Sequence, residues 1–286
     1  MSGARPRRSV LYMPGSSARA LEKARTLAAD ALILDLEDAV APDAKETARA
    51  QVSAAVKRGF GRRETVVRIN ALSSPWGEAD LRAAAEAKPD AILVPKVSGV
   101  GDLKAVEERL GGADIAIWAM VETPLAVLNL GAIAAAGGRL ACLVMGTNDL
   151  IKEMGGLHTP GRHNLTAALS LSVLAARAYG LAVIDGVFND IADADGFAAA
   201  CAQARSFGFD GKTVIHPAQI VPCNAAFAPS SEEVAAARKI IAAFDLPENR
   251  GKGAILLDGH MVELLHAEAA RRLVALAEAI AMLEAK

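Results

Sequence analysis

The sequence predicts a single α/β domain, a (β/α)₈ barrel of the TIM-barrel class, followed by a C-terminal helical extension. Three observations predict it. Short apolar runs of strand length alternate eight times with segments of helical period. Polar and charged residues gather just after those runs, at the strand ends where α/β sheets bind ligands. No G-x-G-x-x-G follows any run, which argues against a doubly wound dinucleotide-binding sheet. The 286 residues hold one such domain, since these barrels commonly run about 250 residues.

The elements follow in order. Ser9 to Met13 is the first strand and Ser17 to Ala29 its helix. Ala31 to Leu36 is the second strand, with a helix over Asp43 to Arg58. Asp43 is placed to cap that helix and Glu46 to complete a capping box. Thr65 to Ile69 is β-branched and reads as the third strand, followed by a helix over Trp76 to Ala87. The fourth unit is Ala91 to Val94 with Val100 to Leu110. The fifth is Ile115 to Met120 with Pro124 to Ala136, where Pro124 suits a first helical turn. Leu140 to Val144 is the sixth strand, and a long polar loop over Thr147 to His163 precedes a helix over Asn164 to Tyr179. Leu181 to Ile184 with Asp193 to Phe207, then Gly211 to Ile215 with Pro217 to Phe227, complete the barrel. The barrel domain is therefore placed at 1–228 and the extension at 229–286. The extension holds a helix from Glu232 to Phe244, a short apolar run Ala254 to Leu257 ending in Asp258-Gly259, and a long helix from Val262 to Leu283. A closed barrel has no need of it, so it is expected to pack on a neighbouring subunit or to cover the barrel mouth.

A formal net charge of -2 argues against a nucleic-acid surface or a polybasic membrane patch. No run approaches the roughly 20 apolar residues of a membrane span, and the apolar stretch Val10 to Met13 is too short for a signal-peptide core. Cys142, Cys201 and Cys223 are dispersed and odd in number, which suits buried thiols in a reducing cytoplasm.

The stretch Ala31-Leu-Ile-Leu-Asp35-Leu-Glu37-Asp38 organises the chain: an apolar strand runs into three carboxylates, which are costly there unless a cation meets them. Other strand ends add Arg68 and Asn70, Lys96, Glu122, Asn148 and Asp149, Asp185 and Asn189, and His216. In a barrel these ends meet at one mouth. Several carboxylates with one Arg and one Lys make a coherent site for a hard cation and an anionic substrate. Each residue alone has a plainer use: Asp35 in a turn, Glu37 in an ion pair, Asp38, Asp149 or His216 at a helix start, and Glu122 as a carboxylate near a helix N-terminus.

The ordered set Arg8-Ser-Val-Leu-Tyr-Met-Pro-Gly15, Asp35-Leu-Glu-Asp-Ala-Val40, Arg68-Ile-Asn70, Val94-Pro-Lys-Val97, Glu122-Thr123, Gly146-Thr-Asn-Asp149 and Gly208-Phe-Asp-Gly-Lys-Thr-Val-Ile-His-Pro217 resembles the citrate lyase β-subunit-like family within the HpcH/HpaI aldolase superfamily. Within it, Gly-Thr-Asn-Asp-Leu and Asp185-Gly-Val-Phe-Asn189 are most similar to the malyl-CoA lyase and malyl-CoA thioesterase branch. The resemblance implies Mg²⁺, or Mn²⁺ in its place, on Glu122 and Asp149, with Glu37 and Asp38 holding metal-bound waters. It implies that Arg68 faces the reacting carbonyl, that Arg68, Asn148 and Asp149 contact substrate, and that Lys23 lies near the coenzyme A end of an acyl-CoA substrate. Asp258 would reach into a neighbouring subunit's site within a homotrimer or hexamer. The implied reaction is cleavage or formation of the C–C bond of a malyl-CoA-type thioester, giving acetyl-CoA and a 2-oxo acid such as glyoxylate. A (3S)-malyl-CoA thioesterase using the same site, or a citrate lyase β-type subunit acting on a carrier-bound citryl group, are the alternatives. Malyl, methylmalyl and citramalyl groups differ by a methyl, worth only about 1–3 kcal/mol in a pocket.

Overall fold

The computed structural model describes residues 5–285; the outermost predicted limits, Met1 to Ala4 and Lys286, lie outside the described residues. Eight parallel strands close into a barrel in sequence order: β1 Ser9–Pro14, β2 Ala31–Asp35, β3 Glu64–Arg68, β4 Ala91–Val94, β5 Ala116–Val121, β6 Leu140–Met145, β7 Ala182–Asp185 and β8 Gly211–Val214. The helices between them are α1 Ala18–Ala24, α2 Lys45–Arg58, α3 Gly77–Ala87, α4 Val100–Leu110, α5 Pro124–Leu128, α6 Leu130–Ala134, α7 Thr147–Glu153, α8 Thr166–Ala178, α9 Ala194–Phe207 and α10 Ile220–Phe227. The predicted α/β barrel is thus present with all eight strands in place. The chain divides into two compact units, a barrel unit Arg7–Phe227 and a C-terminal unit beginning at Ala228.

Strand parity sets what each side chain meets. Val10, Ala31, Ile33, Val66, Leu93, Trp118, Val144 and Ile184 point inward and form one cluster inside the barrel. Their neighbours Leu11, Leu32, Leu34, Val67, Ile92, Ile117, Leu143 and Val183 belong to the cluster under the helices. Each Val, Leu or Ile among them stabilises the fold by about 1.5–3 kcal/mol when fully buried. Trp118 is fully buried, with the Arg7 guanidinium 5.1 Å from its ring centroid. Arg7 in turn pairs with Glu64 at 2.6 Å, at the amino end of β3, and Arg8 pairs with Asp30 at 2.9 Å. The basic residues near the start of the chain therefore close the barrel's floor.

Four local expectations change. Asp43 does not cap α2 and no capping box forms with Glu46; residues Pro42–Ala44 make a 3₁₀ turn instead, and the helix begins at Lys45. The helix expected over Pro124 to Ala136 breaks at Asn129, whose amide donates to the Ser98 carbonyl at 2.8 Å. The expected loop after β6 opens with a helix, α7, because Thr147, Leu150 and Ile151 share a buried face at helical spacing. The first helix stops at Ala24 rather than running to Ala29.

The C-terminal unit holds α11 Ser231–Asp245, a hairpin of β9 Ala254–Leu257 and β10 His260–Glu263, and α12 Leu264–Glu284. Ser230 and Glu233 form a capping box on α11. Asp258 and Gly259 both have positive φ, 51° and 81°, as an Asp-Gly hairpin turn of the primed type requires. Phe244, Ile255, Val262 and Ala267 make a small separate core. On the hairpin's other face, the register partners Leu256 and Met261 are 77% and 70% exposed. Among the described residues no helix is long and apolar enough to cross a membrane.

Candidate active site

Asp35 and Arg68 end adjacent strands and are register partners, so they meet side by side at the mouth. Both share inward parity with Ile33 and Val66. The Arg68 fork grips the carboxylate with Nε and Nη2, each 2.6 Å from an oxygen of Asp35. Nη1 lies 3.1 Å from Asp38 Oδ2 and 2.9 Å from Glu37 Oε2, and the Tyr12 ring sits 4.9 Å from the guanidinium carbon. Asp35 also accepts the backbone N–H groups of Glu37 and Ala39, which folds the acidic loop over the strand end. A bidentate buried pair of this kind fixes the guanidinium in one plane.

Glu37 is the chemically unusual member. Its approach to Arg68 lacks hydrogen-bond alignment, so Oε2 is buried without a hydrogen-bond partner among the described residues. Burial pushes its pKa up to about 8; Arg68 opposes this, while Asp38, Glu122 and Asp35 add to it. The loop is pinned from below by Lys45, which the sequence did not single out. Its ammonium donates to the carbonyls of Leu36 and Glu37 at 2.7 Å and to Asn70 Oδ1 at 2.8 Å, with the Trp76 ring beside it. Asn70 in turn bonds Asp80, which Arg49 holds at 2.7 Å. Asn70 is therefore a strut behind the loop. No residue-type signal marked it, since Lys45 follows Asp38 by seven residues and acts mainly on carbonyl oxygens.

The second half of the mouth is Glu122, after β5, and Asp149, on the first turn of α7. Glu122 is fully buried. Its Oε1 accepts the Lys96 backbone N–H at 2.6 Å, and Oε2 is another buried oxygen without a partner among the described residues. Burial raises its pKa, and the Lys96 N–H opposes that rise. Lys96 Nζ reaches Asp149 Oδ1 at 3.0 Å and Glu122 Oε1 at 3.5 Å. Gly146 makes this packing possible: a Cβ there would lie 2.4 Å from Glu122 Cβ and 2.7 Å from Oε2. Gly146→Ala should therefore displace the carboxylate, lowering stability by about 1–3 kcal/mol and turnover by about 10²-fold. Thermal melting with steady-state kinetics checks this; unchanged values would show that Glu122 moves aside without consequence.

The other sequence candidates divide. Asn148 and Asn189 come together at the rim and exchange amide hydrogen bonds of 3.1 and 2.9 Å. Asp185 does not face the mouth. It shares outward parity with Val183 and is buried against Lys212 at 2.7 Å and Arg162 at 2.8 Å. Burial alone would raise its pKa, but these two cations hold it below the usual carboxylate range. His216 caps the short turn after β8, accepting the Ala218 N–H at 3.2 Å. Lys23 is exposed on the last turn of α1. Asp258, in the C-terminal unit, is ion-paired with Lys239 and largely exposed.

The barrel mouth fits a divalent cation. Among the described residues, five carboxylates at the mouth, Asp35, Glu37, Asp38, Glu122 and Asp149, are ion-paired there with Arg68 and Lys96, while the Lys45 ammonium behind the loop bonds carbonyl and amide oxygens. Glu122 keeps an unpartnered buried oxygen. Magnesium is commonly held by one or two carboxylates, with water and substrate completing its shell. Glu122 and Asp149 are the pair that would hold it.

Comparison with known proteins gives consistent relatives. A family model described as HpcH/HpaI aldolase/citrate lyase matches residues 8–217. The chain is 52% identical over 283 residues to the (3S)-malyl-CoA thioesterase of Cereibacter sphaeroides, covering 99% of this chain and 98% of that one. It is 34% identical over 306 residues to the L-malyl-CoA/beta-methylmalyl-CoA lyase of the same species, covering 97% and 96%. The crystal structure of protein CitE from Mycobacterium tuberculosis in complex with magnesium, acetoacetate and coenzyme A is similar at a TM-score of 0.77 and 30% identity, covering 97% of this chain and 99% of that one.

Proposed function

Because the chain belongs to the HpcH/HpaI aldolase/citrate lyase family, we propose that it acts on a malyl-CoA-type 3-hydroxyacyl thioester at the Arg68 mouth. Its relatives named above are enzymes, a thioesterase and a lyase. The observation that carries the reading is Arg68 itself, a guanidinium locked by Asp35 and aimed at the acids of the mouth. A permanent cation so fixed stabilises an oxygen that gains negative charge, whether an enolate or a tetrahedral oxyanion. In hydrolysis, water adds to the thioester carbonyl and Glu37 takes its proton. The negative charge falls on the oxygen facing Arg68, and the C–S bond then breaks with the proton returned to the thiolate. A base with a pKa near 8 suits proton transfer at neutral pH. In C–C cleavage, the same Arg68 holds the enolate of the departing acetyl thioester. A divalent cation on Glu122 and Asp149, Mg²⁺ or Mn²⁺, would polarise the hydroxy-acid end as a Lewis acid. Asn148, at the rim beside Asp149, and Lys23, for the coenzyme A end, complete the proposed contacts. Asp38 helps hold Arg68 and water.

Similarity over nearly the full length to a thioesterase supports hydrolysis as the net reaction. Similarity to a lyase supports C–C cleavage as the second reading. One incubation with (3S)-malyl-CoA and Mg²⁺, following free thiol and glyoxylate separately, separates them. Free thiol with malate and no glyoxylate means hydrolysis. Glyoxylate with acetyl-CoA and no free thiol means cleavage. Neither product overturns the assigned substrate.

The proposed assembly is a cytoplasmic homotrimer in which the C-terminal unit of one chain supplies Asp258 to another chain's mouth. The exposed apolar pair Leu256 and Met261 beside the Asp258 turn supports an interface there. The three buried free cysteines support a reducing compartment. Mixing Asp258→Ala with Arg68→Ala chains should then restore measurable activity to two inactive proteins. No recovery in verified mixed oligomers would argue against a shared site.

A further inference from the structure

Lys96 occupies an unusual place at the mouth. It follows β4 through Pro95 and adopts φ 53°, a left-handed conformation that costs a non-glycine residue energy. That backbone turn aims two groups of one residue at the same carboxylate. The N–H bonds Glu122 Oε1 at 2.6 Å, and Nζ reaches the same oxygen at 3.5 Å while pairing with Asp149 Oδ1 at 3.0 Å. The two functions are separable. The N–H holds Glu122 whatever side chain residue 96 carries. The ammonium adds one positive charge between the two carboxylates, on a flexible stem that is about one-third exposed.

We propose that Lys96 couples the binding of a divalent cation to the binding of an anionic substrate end. The inference rests on the assignment of Glu122 and Asp149 as the cation-holding pair. A positive charge beside these carboxylates repels a second cation, so the ammonium keeps the cation's intrinsic affinity low. A substrate carboxylate arriving at the mouth gives Nζ a new partner of the right charge. Drawing Nζ off Asp149 removes the repulsion and frees the oxygen it held. Each ligand then tightens the other by the same factor, as linkage requires. Lys96 thereby becomes a contact for the acid end of the substrate, and it favours substrates that carry a carboxylate near the reacting carbon. Arg68 does not compete for this task, since Asp35 occupies two of its nitrogens.

The test is calorimetric titration of the purified full chain with Mn²⁺ or Mg²⁺, with and without saturating glyoxylate as the anionic probe. Wild-type protein should bind the metal weakly alone and on the order of tenfold more tightly with glyoxylate. That factor is far below the bare Coulomb value for a fixed buried charge, because the lysine stem swings into water. Lys96→Met keeps the backbone N–H and loses the charge. It should bind the metal alone about tenfold more tightly than wild type and show little further gain from glyoxylate. Lys96→Arg, which keeps the charge, should retain the coupling. Unchanged or weaker metal binding by a folded Lys96→Met protein overturns the proposal, and so does full coupling in its absence. Glu122→Gln titrated in parallel isolates the underlying assignment: if it binds metal as wild type does, the cation site itself is misplaced. If it loses the metal while Lys96→Met behaves as wild type, only the coupling is wrong.

Discussion

Arg68→Lys is expected to lower kcat/KM by about 10³-fold or more, the loss seen when a preorganised donor to a developing oxyanion is removed. Lysine keeps the charge and loses the fork. Two parallel bonds to Asp35 set the plane of the guanidinium, and a single ammonium cannot make both while also facing Glu37 and Asp38. The Tyr12 ring also loses a flat cation to stack on. Stability should fall as well, by roughly 1–3 kcal/mol, because Asp35 stays buried with a weaker partner. Kinetics on folded protein, with thermal melting as the control, separate the two effects. Near-wild-type turnover would reduce Arg68 to a structural counter-ion for Asp35.

Glu122→Gln is expected to abolish most metal-dependent turnover, by about 10³-fold, because a Lewis acid is worth several kcal/mol to such a transition state. Its stability should move the other way. Burial raises the pKa of Glu122, so the folded protein disfavours its ionised form relative to the unfolded chain. Stability from such a group is fully present below the unfolded carboxylate pKa and declines as pH rises through the folded one. The neutral glutamine keeps an oxygen for the Lys96 N–H and escapes that decline. At neutral pH without added metal, Glu122→Gln should melt at or above the wild-type temperature. EDTA should reduce wild-type activity toward the variant's level, and excess Mg²⁺ should restore it. Full activity in EDTA would remove the metal from the reaction.

The alternation of elements made the barrel legible, and the positions of Arg68, Glu37, Glu122 and Asp149 after strands made the mouth legible. What stayed hidden follows from double-sided burial. A parallel strand packed on both faces reads as an unbroken apolar run, so its inward and outward residues look alike. Asp35 and Asp185 each end such a run. One faces Arg68 inside the mouth, and the other faces Lys212 and Arg162 beneath the helices. Nothing in Leu-Ile-Leu-Asp or Val-Ile-Asp distinguishes them. Lys45 and the double use of Lys96 were hidden for another reason. Lys45 acts on carbonyl oxygens, and Lys96 depends on a left-handed backbone, neither of which leaves a residue-type signature. The helix over Thr147 to Glu153 was legible in principle, since its buried positions already stood at helical spacing.

The floor built from Arg7, Glu64 and Trp118 has a kinetic corollary. That floor and the side chains stacked above it, Ile33, Leu93, Trp118 and Ile184 among them, fill the barrel, so ligands reach the mouth from one side only. With the proposed acyl-CoA substrate bound acid end inward at Glu122 and Asp149, the portion attached to coenzyme A faces that side and should leave first. The small acid behind it should leave second, and until it does the mouth admits no new substrate. Added free acid should therefore inhibit competitively against the thioester, whereas added coenzyme A should leave an acid-occupied enzyme behind it and inhibit in a mixed pattern.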